Sequence, residues 1–319
     1  MKLSLCIATF NEEQNIHYPL DSVYDMVDEV VIVDGGSTDK TVEKAKSYGK
    51  KVKVYREDNP PIFHINKQKA IDRAAGEWIL QLDADEALSN ELKKEIHSLV
   101  ILNEVKDLVP TSSGRENNYA SLDSSSDVRR TQNDKAVAYW IPRKNFFLTR
   151  FLMKGGQYPD YTIRLYRNGY AKFPCKTVHE NVEIITNSEF RVQSSESKSK
   201  NEKILNSKFN SELLIPNSRL IGFLKNPILH YADPDFSRFL KRWDRYTSSE
   251  ADLLFQQKKQ IGFVDYFFIK PLVWFLLAYF RHRGYVDGFP GFVFALFSSI
   301  RFWAIYTKMW SIAKIKSTK

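Results

Sequence analysis

Gln81-Leu82-Asp83-Ala84-Asp85 places two carboxylates two residues apart, directly behind an apolar run. If the chain turns there, both can face one cleft. Carboxylate oxygens at a strand end suit a hard cation such as Mg2+ or Mn2+. Such a cation would bridge diphosphate oxygens and stabilise a departing nucleoside diphosphate. Asp-x-Asp alone occurs by chance in many surface loops, so its position along the fold is what gives it weight. A second segment, Val33-Asp34-Gly35-Gly36-Ser37-Thr38-Asp39, has two readings. It is a tight turn followed by a helix cap at Ser37 or Thr38. It also sets the Asp34 acceptor at a sheet edge, where it can take the imide N–H of a uracil, with glycines that let a planar base approach the backbone.

The elements that must position these groups alternate regularly. Leu3–Ala8, Glu29–Asp34, Val52–Tyr55 and Trp78–Leu82 read as short buried strands. Helices are predicted up to about Val27, over Lys40–Tyr48, over Asn66–Ala75 before Gly76, and over Glu91–Leu102 behind a Ser89 cap. Strands and helices at this spacing mean an α/β protein with a mostly parallel, Rossmann-like sheet flanked by helices. Ligands bind such sheets where strands end at their carboxyl edge. The polar clusters behind the first, second and fourth strands all fall at that edge.

Residues 103–135 are rich in Ser, Asn, Asp and Lys and read as a solvated insertion. Residues 187–212 look similar and are a candidate mobile substrate loop. Tyr139–Arg143 and Tyr161–Tyr166 read as strands between them. From Phe236 the pattern turns helical, with Phe236, Phe239, Leu240, Trp243 and Tyr246 near 3.6-residue spacing. Two apolar stretches follow, at about 263–280 and 289–306. Asp265, Lys270 and Pro271 interrupt the first and Arg301 the second, so helices lying in a membrane interface fit better than spanning ones.

Charge separates the same two regions. Residues 236–319 hold 14 Lys/Arg against 5 Asp/Glu, and so carry the whole net charge of +9. They also hold 22 of the 44 aromatic residues and four of the six tryptophans. Basic, aromatic and aliphatic together describe a surface that meets anionic lipid headgroups. Nucleic acid would accept the charge but leaves Pro271–Phe280 and Gly291–Ile300 unexplained, so no nucleic-acid partner is expected. The division expected is a catalytic domain over 1–235 and a basic, aromatic-rich helical region over 236–319. No secretory signal is read ahead of the first strand, which places the active domain in the cytoplasm. Two cysteines, Cys6 and Cys175, make no disulfide framework.

Thr9, Asn11 and Glu12 behind the first strand, Asp34–Asp39 behind the second and Asp83/Asp85 behind the fourth together resemble glycosyltransferase family 2, which has a GT-A fold. The match covers about residues 1–100. The remainder is similar to lipopolysaccharide-core and related envelope-glycan glucosyltransferases. It carries Tyr158-Pro159-Asp160-Tyr161-Thr162-Ile163-Arg164-Leu165-Tyr166-Arg167, Val178-His179-Glu180, Leu229-His230-Tyr231, and Gly284-Tyr285-Val286-Asp287-Gly288 with Gly291-Phe292.

The resemblance implies roles. Thr9, Asn11 and Glu12 line the nucleoside pocket, and Asp34 meets the base. Asp83 approaches the ribose or the metal, and Asp85 binds the metal. Lys67 meets the diphosphate, and His230 adds a metal or phosphate contact. Gly155-Gly156 resembles the glycine loop ahead of the acceptor region. Glu180 falls at the catalytic carboxylate. Many members have Asp-Asp at Asp34-Gly35 and Glu-Asp at His179-Glu180, and the second departure leaves Asp160 as a competing base. Arg164 and Arg167 are either solvated strand charges or a grip on an acceptor phosphate.

The expected activity is inverting transfer from a nucleotide sugar, UDP-linked by preference, with Mg2+ or Mn2+. The acceptor is a cell-envelope glycan or glycolipid, and the enzyme is peripheral on the inner face of the cell membrane. A polyprenyl-phosphate sugar synthase is the alternative. A nucleotidyltransferase is a weaker one, because Thr9-Phe10-Asn11-Glu12-Glu13 is not the glycine-rich basic loop such enzymes place behind the first strand.

Overall fold

A computed structural model describes residues 3–108, 136–176, 181–185 and 221–317. The chain forms two compact units. One comprises residues 1–142 and 161–228, the other 143–160 and 229–319. Residues 143–160, which the sequence assigns with the first domain, pack with the C-terminal region instead. The physical reason is an aromatic core: Phe147 meets Phe239 and Phe294 edge-to-face, at 4.9 and 5.5 Å between ring centres.

In the first unit, β1 (Leu3–Thr9), β2 (Glu29–Asp34), β3 (Val52–Arg56) and β4 (Trp78–Gln81) are parallel, in the order β3-β2-β1-β4. Between them run α1 (His17–Val23), α2 (Thr41–Ser47) and α3 (His64–Asp72). β1 and β2 are mostly apolar because both faces of the sheet are covered. Leu3, Leu5 and Ile7 alternate into a core with Val30, Ile32, Trp78 and Leu80 on one face. Cys6 joins Val31, Val33 and Ile79 on the other, beneath Ala70 and Ile71 of α3. Burial pushes the Cys6 thiol well above its ordinary range, so it behaves as the small hydrophobe its setting implies.

The short β5 (Glu86–Leu88) and α4 (Asn90–Leu108) follow. Ser89 Oγ accepts the Leu92 N–H at 3.2 Å, the cap the sequence predicts. α4 runs beyond Leu102, into the stretch read as an insertion; the rest of that insertion and 187–212 lie outside the described residues. β6 (Ala138–Phe147) carries the chain from the first unit into the second, where it pairs with β7 (Arg150–Phe151). β8 (Asp160–Arg167) returns to lie antiparallel to β4, with Leu80 opposite Leu165. β9 (Ala171–Lys172) and β10 (Glu183–Ile184) make a small ribbon, and β11 (Ile221–Phe223) pairs with β6. The mostly parallel sheet with antiparallel additions and flanking helices is GT-A-like.

The second unit holds β12 (Ile228–Asp233), then α5 (Phe236–Gln256), capped by Asp235 Oδ1 accepting the Arg238 N–H at 2.8 Å. Next come a π-helical Asp265–Ile269, α6 (Lys270–Phe275) and a π-helical Leu276–Arg281, head to tail. The break expected at Pro271 does not occur. Proline leaves the carbonyl four residues back without its amide. Here that carbonyl, Phe267 O, accepts the indole N–H of Trp303 at 2.8 Å. A short 3-10 turn, Gly284–Asp287, leads into α7 (Gly288–Ser317).

α7 passes Arg301 without interruption. Among the described residues it is the one helix that length and composition would allow to cross a membrane. The glycines around the turn serve packing: a Cβ on Gly291 would lie 2.1 Å from Gly284 O. Asp287, itself buried, accepts the Met153 and Lys154 N–H groups at 3.0 and 2.7 Å, and Gly155 N donates to His282 O at 2.9 Å. Gly155-Gly156 and the Gly284–Phe292 motif are thereby one packed junction.

Candidate functional site

The carboxyl ends of β2, β1 and β4 stand side by side, so the polar segments behind them share one edge of the first unit's sheet. Adjacent strands are about 4.8 Å apart, which puts the ends of β2 and β4 within roughly 10 Å of each other.

The loops behind β1 and β2 are tied together. Gly35 N donates to Thr9 O at 2.8 Å. Asn11, at φ 54°, donates its N–H to Ser37 Oγ at 2.8 Å, and its Oδ1 accepts the Thr38 N–H at 2.9 Å. Glu12 N donates to Thr41 Oγ1 at 2.8 Å, and Glu12 Oε2 accepts from Asn15 at 2.6 Å. Asn11 and Glu12 therefore build the rim through both backbone and side-chain bonds.

Asp34 does not face outward. It is fully buried. Its Oδ2 accepts the Gly36 and Ser37 N–H groups at 3.1 and 2.9 Å, and its Oδ1 accepts the Ser37 hydroxyl at 2.5 Å. A polar group buried this deeply needs partners, and the turn supplies them. What the edge presents instead is the exposed Gly36, at φ 83°. Neither Ser37 nor Thr38 caps α2: Lys40 holds the N-cap position, and Asp39 just before it accepts the Thr41 N–H at 3.0 Å.

Thr9 ends β1 as a buried residue whose Oγ1 has no hydrogen-bond partner among the described residues. An unpartnered buried hydroxyl costs stability that a ligand can restore. Thr9→Val is therefore expected to leave stability unchanged or raise it by up to about 1 kcal/mol. It should also weaken nucleotide binding about five- to tenfold. Thermal melts and UDP titration read the two effects separately, and unchanged UDP affinity would remove Thr9 from the pocket.

The densest polar cluster surrounds Asp83. Its Oδ1 lies 2.5 Å from Lys67 Nζ on α3, and its Oδ2 2.7 Å from Arg164 Nη2 on β8. Arg164 Nη2 also reaches Glu86 Oε1 at 2.9 Å, and Nη1 donates to Gln81 Oε1. Glu86 Oε2 accepts the Asp83 N–H at 3.0 Å, and Gln81 Nε2 donates to Asp83 Oδ1 at 3.2 Å. Lys67, Arg164 and Glu86 are all buried; Asp83 is half-buried.

Burial lowers the Lys67 ammonium below its ordinary value, against the pull of Asp83. Burial works in the same direction on Arg164, but Asp83 and Glu86 together outweigh it and hold the guanidinium charged. Two cations thus balance two carboxylates, and Asp83 is clamped at both oxygens. Asp85, two residues on and half-buried, adds one more carboxylate beside this neutral group.

Lys67 is predicted to meet a diphosphate and Arg164 either solvent or an acceptor phosphate; the structure turns both inward onto Asp83. Glu86 and Gln81 carry no sequence signal of their own, because only folding brings Arg164 between them.

Asp160 and His230 belong to the second unit, where they form one chain. Asp160 Oδ2 accepts from Arg143 Nε and Nη2 at 3.0 and 2.7 Å and from Asn145 Nδ2 at 3.2 Å. Asn145 Oδ1 lies 2.7 Å from His230 Nδ1. An ionised carboxylate only accepts, so the Asn145 amide points its NH2 at Asp160 and its oxygen at His230. His230 Nδ1 is then the donor to the Asn145 oxygen. Asp160 thereby fixes Asn145 and, through it, His230. His179 and Glu180 lie outside the described residues. No three His, Cys, Asp or Glu side chains gather into a metal cage among the described residues.

The family model for glycosyl transferase family 2 matches residues 4–172, which include every element of the Asp83 cluster. The chain belongs to glycosyl transferase family 2. An uncharacterized glycosyltransferase of Rickettsia typhi is 28% identical to this family 2 transferase over 299 residues, 92% of this chain and 81% of that one. The glycosyltransferase SunS of Bacillus subtilis (strain 168), prophage SPbeta-derived, is 36% identical over 90 residues, 28% of this chain and 21% of the other. Among solved structures, S. aureus TarS 1-349 in complex with UDP-GlcNAc is similar at 15% identity and a TM-score of 0.40, over 95% of this chain and 81% of that one.

Proposed function

We propose that this family 2 glycosyltransferase moves a sugar from a nucleoside-diphosphate donor, by preference a UDP-sugar, to a hydroxyl of a cell-envelope glycan or glycolipid, with inversion. The acceptor by analogy is lipopolysaccharide-core-like, and the enzyme works on the cytoplasmic face of the cell membrane. The observation that carries this reading is the clamped Asp83. Lys67 and Arg164 fix it at the carboxyl end of β4 and neutralise the cluster. Asp85, half-buried two residues on, brings a second carboxylate to the same edge, where its oxygens can take part in holding a cation.

Asp85 offers the hard oxygen that Mg2+ or Mn2+ prefers. Such an ion is ordinarily held by one or two carboxylates together with substrate phosphates, so a closed protein cage is not required. Asp83, with both oxygens on cations, is the weaker ligand of the two. When bound, the ion would neutralise charge growing on the diphosphate.

The protein's own groups do the rest. Thr9 and the Gly35–Gly36 backbone receive the nucleoside, and Asp83, immobile in its clamp, receives the ribose. Glu180 takes the proton of the acceptor hydroxyl as its oxygen attacks the anomeric carbon from the face opposite the leaving group. Asp160, whose Oδ2 already accepts from Arg143 and Asn145, is the competing base through its other oxygen.

Glu180→Gln is expected to lower kcat by about 10²- to 10⁴-fold while donor binding is kept, the usual contribution of a general base. A panel of nucleotide sugars, scored for binding and slow hydrolysis with Mg2+ or Mn2+, needs no acceptor and identifies the donor. The proposal fails if no nucleoside diphosphate binds.

A further inference from the structure

The outer face of helix 265–281 has no covering within the second unit. Phe268 and Leu272 are each 61% exposed, Leu276 45% and Phe280 56%. They recur every four residues. In a pure α-helix of about 3.6 residues per turn that spacing drifts around the axis. The wider π turns at both ends of this helix offset the drift and hold the four residues in one stripe.

From 265 to 280 the charged residues are Asp265 and Lys270 alone. They neutralise each other at 2.9 Å, with Lys270 Nζ 3.8 Å from the centre of the Tyr266 ring on the buried side. Exposed basic residues flank both ends: Lys258 and Lys259 before the helix, Arg281 and Arg283 after it.

We infer that this stripe lies in the plane of an anionic lipid surface, as the membrane-contacting face of the protein. The inference deepens the membrane-surface reading of the proposed function and rests on it. The orientation follows from charge. Seventeen residues rise at most about 25 Å, short of a hydrocarbon core of about 30 Å. End-on insertion would also carry one basic pair into that core, whereas lying flat leaves both pairs at the headgroups.

α7 has the length and composition to span, but from Val293 to Lys308 it is packed against α5. Val293 meets Phe239 at one end and Ile305 meets Leu254 at the other, with Trp243 Nε1 donating to Phe297 O between them. α5 exposes Lys241, Asp244, Arg245, Glu250 and Asp252. A spanning α7 would drag those charges through lipid, which is prohibitive. The stripe on 265–281 enters the interface without that cost.

The test is flotation of the full-length protein with vesicles of phosphatidylcholine and of phosphatidylcholine mixed with phosphatidylglycerol. Wild type is expected to float with the anionic vesicles. Phe268→Ser combined with Leu272→Ser should lose vesicle partitioning by at least about tenfold. Arg281→Gln with Arg283→Gln should lose only the preference for the anionic lipid. Because these side chains are exposed, melting temperature and donor hydrolysis should match wild type in both variants. Equal flotation of wild type and the serine variant overturns the inference. So does a wild-type dimer that the serine variant converts to monomer with no vesicle binding by either, which makes the occupant a second copy of the chain. Vesicle binding as expected without donor hydrolysis by any variant would instead overturn the transferase chemistry and leave this surface standing.

Discussion

Asp85→Asn should reduce kcat by at least about 10³-fold while the melting temperature stays within a degree or two of wild type. The asymmetry follows from where the two carboxylates of the motif stand. Asp83 is held by Lys67 and Arg164 inside a neutral cluster, so its loss would leave two buried cations under-compensated and harm the fold along with the site. Asp85 is half-buried at the sheet edge and is not one of the groups that clamp Lys67 and Arg164. Asparagine keeps its size and removes only the charge that attracts a divalent ion. The direct check is UDP titration with and without Mg2+ or Mn2+. Metal should tighten UDP binding to wild type and have little effect on the variant. Metal-stimulated transfer by Asp85→Asn at the wild-type rate would end the metal assignment.

Arg164→Met should be the most destabilising single change in the first unit, at about 3–5 kcal/mol. Arg164 bridges Gln81, Asp83 and Glu86 from a buried position on β8, and methionine fills similar volume without any donor. Glu86 would then lose the guanidinium it meets at 2.9 Å, leaving two carboxylates against Lys67 alone, an excess of negative charge that favours taking up a proton in the folded variant. A group whose folded pKa is raised favours folding below its unfolded pKa and loses that contribution as pH climbs through the folded one. The destabilisation should therefore be larger at pH 8 than at pH 5. Adding Glu86→Gln should recover part of the loss. Arg164→Lys should rescue only partly, because a point charge cannot reproduce the planar fork that meets three partners. Denaturant midpoints at the two pH values measure all of this. Equal loss at both would mean the guanidinium acts by packing alone.

What the amino-acid order determined by itself is the succession of elements and the edge on which the chemistry sits. A β-branched run such as Val30–Val33, short and closed by Asp34-Gly35-Gly36, reads as a buried strand whose polar terminator falls at the strand end. The 3.6-residue recurrence of Phe236, Phe239 and Trp243 likewise specifies α5 without help from its neighbours. These are local consequences of period and polarity, visible within a few residues.

Which atom each functional group faces is not local, and only the tertiary structure decided it. Asp34 turned inward because its own turn offers two amides and a hydroxyl at shorter reach than any ligand. Arg164, 81 residues from Asp83, became its partner only because β8 lies antiparallel beside β4. The helix survived Pro271 because Trp303, 36 residues on, supplies a donor to Phe267 O. The reason is common to the three. A buried polar atom must find a partner somewhere, and the identity of that partner depends on strand order and helix contact, which link residues far apart in the chain.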